Sequence, residues 1–186
     1  MSEIFDTTMN PSKGELIAAW LPLQSWYGGA RVPEFDVVGG FRLDDPAGEV
    51  GMEFIFITET STGTPTTYQV PLAYRSAPCP EAVPGLLGTS EHGVLGTRWI
   101  YDGEHDPVLM AQVVELLEGR AVAQHQNDSY VLADNITVAP GKAVGATAPV
   151  LVRVLEPGTE AAGAGVIASW TRADGSTGRA LAIAAG

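Results

Sequence analysis

Apolar and polar residues alternate along four segments within the first 101 residues of the chain. These segments are 35–43, 52–57, 67–74 and 97–101. A period of two is typical of β-strands, because successive side chains point to opposite faces of a sheet. The connections between the first three segments are short, which favours an antiparallel meander. We therefore expect these segments to form one antiparallel sheet.

The composition of each segment predicts the position of its strand. Segment 52–57 is largely apolar on both faces, whereas segment 67–74 alternates and is expected to be half-buried. Pro71 has no N–H to donate, so its strand is expected at an edge of the sheet or with a bulge. Gly39 and Gly40 predict a bulge or bend in the first and weakest candidate strand.

Two helices have clear start signals. Ser12 and Glu15 have the spacing of a capping box, which predicts a short amphipathic helix that Pro22 interrupts. Asp106 followed by Pro107 predicts the start of a second helix, and Gly119 follows its predicted end. The single apolar stripe of this second helix predicts that it lies on the sheet.

After residue 118 the sequence has the apolar pattern of β-structure and no long helical period. Its apolar runs are 130–132, 150–155, 166–170 and 180–184, and residues 76–93 before them are expected to be irregular with one helical turn near Glu81. Asp174-Gly175 predicts a hairpin turn between the last two runs. The predicted class is α+β: a curved antiparallel sheet with one or two packed helices in residues 1–118, followed by a β-rich C-terminal extension, residues 119–186, packed on it.

The net charge of the chain makes some classes of binding partner unfavourable. Its 22 acidic and 10 basic residues give a net charge of −12, which disfavours binding to nucleic acid and to anionic membranes. Residues 1–118 carry 17 acids and five bases, so the whole net charge lies in that part. Cys79 is the single cysteine, which makes a disulfide framework impossible. The N-terminal residues lack an apolar signal core, and we expect a cytoplasmic protein.

No phosphate-binding or catalytic motif is found in the sequence. The two lysines, Lys13 and Lys142, lie outside the predicted strands, and no Walker A loop or kinase catalytic loop is present. The letters of residues 163–168 match a dinucleotide fingerprint, but a β-like run follows them where the fingerprint needs a helix. We predict no catalytic residue, no cofactor and no metal.

The densest group of polar residues contains Glu91, His92, Asp102, Glu104, His105 and Asp106. His and carboxylate side chains can hold a metal, and His92 can act as an acid or base. Their spacing matches no known zinc pattern, and Asp106 is already explained as a helix cap. Structural roles in turns are therefore favoured over a metal or catalytic site.

Aromatic residues suggest a second kind of candidate site. Trp20, Trp26, Tyr27, Trp99 and Tyr101 could form a face on which sugar rings stack, or they could form the core beneath the sheet. We favour the core, with Trp26 and Trp99 both packed between the first helix and the sheet. The residues kept as candidates for a ligand or interaction face are Trp26, Tyr27, His92, Trp99, Tyr101 and His105.

Two stretches of the sequence resemble a known family. The first is Leu21-Pro22-x-Gln24-x-Trp26-Tyr27, and the second is Tyr68-Gln69-Val70-Pro71-Leu72-x-Tyr74-Arg75, followed by Gly88-Thr89-x-Glu91-His92-x-Val94-Leu95-Gly96-x-x-Trp99-x-Tyr101-Asp102-Gly103-x-x-Asp106-Pro107. They are similar to the N-terminal cap of actinobacterial maltokinases, the sugar kinases of the trehalose-to-glycogen route. The similarity covers roughly residues 14–118.

The resemblance implies the fold of the cap but no catalytic activity. In the family, the cap is a curved antiparallel sheet with flanking helices, packed on the small lobe of the kinase. The family's ATP and sugar sites lie in the kinase body, and here a short β-rich segment takes the place that follows the cap. No catalytic residue is carried over, and the expectation is a free-standing, cap-like protein.

The first functional hypothesis is a non-catalytic accessory or interaction protein, connected with glucan or trehalose metabolism by kinship. The alternative is a small-molecule or carbohydrate-binding domain that uses the Trp and Tyr face, and a sugar phosphotransferase is less favoured. The expected partner is an unknown protein or a small carbohydrate, and self-association is possible. Exposed aromatics on a concave sheet face would favour the binding domain, whereas an exposed apolar patch at a sheet edge would favour the interaction protein.

Overall fold

The chain folds around a curved antiparallel sheet, as a computed structural model that describes residues 8–128, 130–139, 148–161 and 163–186 shows. The first sheet, sheet A, has the strand order β1-β5-β6-β4-β3-β2-β7. Its strands are β1 (Met9–Asn10), β2 (Phe35–Leu43), β3 (Val50–Glu59), β4 (Thr66–Arg75), β5 (Leu86–His92), β6 (Gly96–Asp102) and β7 (Gln124–His125). The predicted α+β class and the antiparallel arrangement of the strands from segments 52–57, 67–74 and 97–101 are confirmed.

A second antiparallel sheet, sheet B, has the order β8-β10-β11-β9. Its strands are β8 (Ile136–Ala139), β9 (Val150–Leu151), β10 (Gly165–Thr171) and β11 (Thr177–Ala184). The predicted Asp174-Gly175 turn joins β10 to β11, and Gly175 has a φ of +80°, a conformation that glycine adopts without strain. No helix follows β10, so residues 163–168 lack the setting of a dinucleotide site.

Both predicted helices are present. α1 (Lys13–Trp20) begins with the complete capping box between Ser12 and Glu15, and the 3₁₀ turn Leu21–Leu23 follows it. α2 (Pro107–Leu117) is capped by Asp106, whose carboxylate accepts from the backbone N–H groups of Val108 and Leu109. Two further 3₁₀ turns lie at Pro80–Gly85 and Gly103–His105. None of the helices within the described ranges is long and apolar enough to cross a bilayer.

Two apolar cores lie on opposite faces of sheet A, because alternate residues of each strand point to opposite sides. The α1-side core contains Ile55 and Ile57 of β3, packed against Ile17 of α1. The central core contains Phe54 and Phe56 of the same strand, together with α2 and the inner face of sheet B. The molecule therefore has layers in the order α1, sheet A, and then α2 with sheet B.

The prediction for β4 was wrong in two respects. The strand lies inside sheet A, between β3 and β6, and both of its faces are buried. The N–H of Gln69 donates to the carbonyl of Arg153 at 2.8 Å, on the side away from β3. Pro71 is two residues further along, so its nitrogen faces the same side, just before the pairing with β6 begins at Leu72. Its missing N–H therefore costs no ladder hydrogen bond.

Other segments also differ from the sequence expectations. The bulge predicted near Gly39 is present in β2. Residues 86–92, expected to be irregular, form strand β5, which has a register shift between Leu86 and Gly88. Residues 130–132 make a single bridge, through Leu132, instead of a strand. Of the two lysines, Lys13 lies in α1, and Lys142 is outside the described residues.

Candidate functional site

The six candidate residues do not lie on one surface. Trp26 and Tyr27 pack against the α1-side core, whereas Trp99 and Tyr101 face the central core on the opposite side of sheet A. The expectation that Trp99 lies between the first helix and the sheet was therefore wrong. Strand alternation in β6 explains this, because Ile100 takes the α1-side face and its two neighbours take the other. The two histidines lie apart from both pairs.

The α1-side aromatics form one contiguous group, which we call the aromatic cluster: Trp20, Trp26, Tyr27 and Tyr68. The ring centroid of Trp26 is 5.6 Å from that of Trp20 and 5.9 Å from that of Tyr68. The guanidinium of Arg153 lies over the Trp26 ring, 5.3 Å from the centroid. A sugar would need a free ring face for stacking, and Arg153 occupies one face of Trp26. This packing supports a structural role for Trp26.

Tyr27 lies beside a buried carboxylate, that of Glu59. The Tyr27 hydroxyl donates to the carbonyl of Ala30 at 3.2 Å, and burial together with the nearby Glu59 charge raises the pKa of Tyr27 to about 12. Glu59 itself is fully buried and accepts hydrogen bonds from the backbone N–H and the hydroxyl of Ser61. A Cβ at Gly29 would overlap the side chains of Tyr27 and Glu59, so any larger residue would require these side chains to shift. These contacts hold the loop between α1 and β2 against the sheet.

On the central-core side, Tyr101 is almost fully buried and Trp99 is partly buried. The Tyr101 hydroxyl accepts a hydrogen bond from the backbone N–H of Cys79 at 2.9 Å, which satisfies the polar end of a core residue. A ligand has no access to the Tyr101 ring in this arrangement.

The polar cluster predicted from the sequence is divided among separate contacts. Asp106 caps α2 and pairs with Arg75, while Asp102 and Glu104 both accept from Arg153. The Nδ1 atom of His92 accepts from two backbone N–H groups of the β5–β6 turn. His105 is exposed. No group of three His, Cys, Asp or Glu side chains suited to a metal ion occurs within the described ranges.

An exposed apolar patch lies at the β7 edge of sheet A. β7 pairs with β2 on one side, and on the other the N–H of His125 donates to the carbonyl of Val131 at 2.7 Å. The bridge between Gln124 and Leu132 adds to this contact between residues 122–125 and 130–133, and we call these two described segments the hairpin. Four of its side chains are between 47% and 61% exposed. We call them the hairpin patch: Val122, Tyr130, Val131 and Leu132.

Tyr130 has two properties that set it apart within this patch. Its φ is +65°, and no other non-glycine residue in the described part of the chain has a positive φ. A bulky side chain rarely adopts this conformation, which costs on the order of 1 kcal/mol or more. Tyr130 also lines a groove of about 1000 Å³, together with Leu95 and Arg98 of the β5–β6 hairpin. The backbone thus keeps a strained conformation where an exposed ring meets a groove.

Residues 20–106 match the family model of the maltokinase N-terminal cap domain. The resemblance predicted from the sequence is confirmed for this segment, which we call the cap segment. It is slightly less than half of the chain, and it starts at the last residue of α1 and ends at the cap of α2. No curated protein matches the chain.

The cap segment supplies the middle of sheet A, from β2 to β6, while β1, β7 and all of sheet B lie outside it. The hairpin patch is therefore built on the flank of the cap segment by residues that the family model does not include. The match is to a cap domain and not to a kinase body.

Residues outside the cap segment make polar contacts with its interior. Arg153 Nη2 donates to both carboxylate oxygens of Asp102 at 2.8 and 2.7 Å, and to Glu104 at 2.6 Å. Burial raises the pKa of Asp102, and the Arg153 charge only partly opposes this. Gln69 adds a second link, because its side-chain amide donates to the carbonyls of Val152 and Ala182.

Sequence reasoning missed the hairpin patch and the role of Arg153. The hairpin had a weak signal, since Gln126, Asn127 and Asp128 form polar turn material between Val122 and the apolar run 130–132. Arg153 had none, because one Arg within an apolar run has no periodicity that indicates a partner 51 residues away.

Proposed function

We propose that this chain is a non-catalytic, cap-like interaction module whose partner is another protein. The observation that carries the proposal is the hairpin patch, four exposed apolar side chains on one hairpin at the edge of a sheet. Such patches on a soluble protein are typical of docking surfaces. The adjoining groove, which Tyr130 and Leu95 both line, extends this surface.

The buried ionisable groups support a role without turnover. Glu53 is a clear case, because its carboxylate accepts from Lys13, Tyr74 and Gln126 at 2.8 to 3.1 Å. These contacts make Glu53 a structural link between α1, β4 and Gln126. The kinship of the cap segment supports the proposal of a partner in glucan or trehalose metabolism.

The positions of the aromatic residues support an interaction module more than the alternative, a carbohydrate-binding domain that uses the Trp and Tyr face. The candidate aromatics are divided between two faces of sheet A, and Arg153 covers one face of Trp26. The exposed aromatic ring at the groove is that of Tyr130, which lies on the hairpin.

Site-specific photocrosslinking in native cells tests the proposal. A photoreactive residue at Leu132 should crosslink one protein reproducibly, whereas the same residue at Leu23, which is 79% exposed in the α1–β2 connection, should not. The double variant Val131→Ser/Leu132→Ser should lose that partner in a co-isolation assay. The matched variant Leu23→Ser/Val32→Ser removes the same side chains from another exposed site and should retain it.

Two results would refute the proposed function. One is equal loss of the partner in both double variants, since the patch would then have no special role. The other is catalysis: saturable stabilisation of the purified chain by Mg-ATP, with phosphate transfer to maltose or glucose, would make it an enzyme.

A further inference from the structure

A cleft of about 660 Å³ lies between sheet A and the C-terminal extension, on the far side of β2 from the hairpin patch. Its walls come from the ends of β2, β3 and β4, from residues 154–157, and from the β10–β11 turn. The volume is in the range of small-molecule sites, which are often found where two layers of structure meet. The cleft exists only because the extension folds back over the sheet.

The lining of the cleft is mostly carbon. Val38, Pro65, Val154 and Leu155 contribute apolar side chains, and threonine methyl groups add to them. At the floor, the hydroxyls of Thr58 and Thr67 lie 3.0 Å apart on paired strands and share one hydrogen bond. An apolar molecule could therefore enter without breaking a hydrogen bond to the protein.

The rim of the cleft is charged, and its balance is negative. Three carboxylates, those of Asp36, Glu156 and Asp174, line the cleft together with one cation, Arg172. Arg172 interacts electrostatically with Asp174, and Ser176 also donates to that carboxylate. Asp36 and Glu156 are exposed and have no cationic partner in the described part of the chain. Two carboxylates thus remain unneutralised at the mouth of an apolar cleft.

We propose that this cleft binds a small organic cation that has an apolar body and an amine or ammonium head. The body would lie against Val38 and Leu155, and the head would lie at the rim between Asp36 and Glu156. This site is independent of the hairpin patch and of any protein that docks there. Binding there would stabilise the contact between the cap segment and the extension, since residues from both form the walls.

Three probes of similar size separate the contribution of the apolar body from that of the charge: 4-phenylbutylamine, 4-phenylbutanol and 4-phenylbutyrate. Titration calorimetry should give an affinity for the amine at least about fivefold above that for the carboxylate, with the alcohol between them. Added salt should reduce the difference, because exposed charges are screened. Chemical-shift changes on amine binding should include Thr58, Thr67 and Ala173.

Variants of the cleft test separately which residues bind the charged head and which bind the apolar body of the probe. Asp36→Asn/Glu156→Gln should weaken amine binding and leave alcohol binding unchanged, whereas the matched pair Glu49→Gln/Asp134→Asn, exposed carboxylates of other clefts, should change neither. Ala173→Trp places a large side chain at an exposed rim position and should weaken both probes at an unchanged melting temperature. Equal affinities for amine and carboxylate, no measurable binding of any probe at 10 mM, or shift changes that map elsewhere would each overturn the proposal.

Discussion

The guanidinium of Arg153 lies 5.3 Å from the ring centroid of Trp26, and the same group pairs with the buried Asp102. One side chain of the extension thus contacts two parts of the cap segment, the loop after α1 and the end of β6. The Nε and Nη1 atoms of Arg153 are buried without a hydrogen-bond partner in the described residues. The buried guanidinium charge is therefore stabilised by the π face of Trp26 and by the carboxylates.

Replacing Arg153 by Met should lower the free energy of unfolding by about 3–5 kcal/mol, because Asp102 is left buried without its cation. Urea denaturation at pH 7 measures the effect. The matched control is Arg179→Met in β11, an exposed arginine, whose effect should stay within about 0.5 kcal/mol. A loss below about 1 kcal/mol for Arg153→Met would mean that the pair adds little to the fold.

The pKa of Asp102 predicts a pH dependence of an unusual sign. Burial raises this pKa above its ordinary value of 3.8, so the folded state favours the protonated carboxyl more than the unfolded state does. The stability of the parent protein relative to Asp102→Asn should therefore be highest below pH 3.8, and it should fall as the pH rises through the folded-state pKa. Denaturation of both proteins from pH 3 to pH 7 measures this. The opposite slope would show that Arg153 outweighs burial.

Asp106 should contribute far more to the free energy of unfolding than an ordinary helix cap does. Its carboxylate accepts from two backbone N–H groups of α2 and from Arg75 at 2.6 and 3.0 Å, and it is fully buried. Asp106→Ala should cost about 3–5 kcal/mol, since Arg75 loses its partner together with the cap. Ser12→Ala at the exposed cap of α1 should cost about 1 kcal/mol. Similar losses for both variants in denaturation experiments would contradict this account.

Trp26 and Trp99 are predicted to be structural, although they lie on opposite faces of sheet A. Each is partly buried against a core, so Trp26→Ala and Trp99→Ala should each cost about 3 kcal/mol. The parent protein should not bind maltose or short glucans in a calorimetric titration. An unchanged denaturation midpoint together with loss of glucan binding would instead identify the substituted ring as a sugar platform.

Tyr130→Gly should separate stability from binding. Glycine relieves the positive φ, so the free energy of unfolding should stay the same or rise by up to about 1 kcal/mol. Loss of the ring should weaken the proposed partner complex. A strained residue kept at an exposed position is consistent with a functional role. A clear fall in stability would show instead that the Tyr130 ring is needed for packing.

The local patterns of the sequence were sufficient for much of this protein. The capping box at Ser12, the cap and proline that begin α2, the Asp174-Gly175 turn and the alternation of β3 each depend on residues within a few positions of one another, so their structures could be predicted from spacing alone. The resemblance to the maltokinase cap also rests on the order of residues along the chain, and the family match at residues 20–106 confirmed it.

Relations between distant segments required the tertiary structure. Pro71 indicated an edge strand, yet β4 is internal. On the side of β4 away from β3, residues 153–155 pair with its first half and β6 pairs with its second half. Trp99 and Trp26 looked alike as aromatic motif residues, but they face different cores. Alternation along a strand shows that successive side chains point to opposite faces, but not which layer covers each face. Here α1 covers one face of sheet A, while α2 and sheet B cover the other. The hairpin patch, the Arg153 contact and the inter-sheet cleft all depend on where the extension packs, which no local pattern of residues specifies.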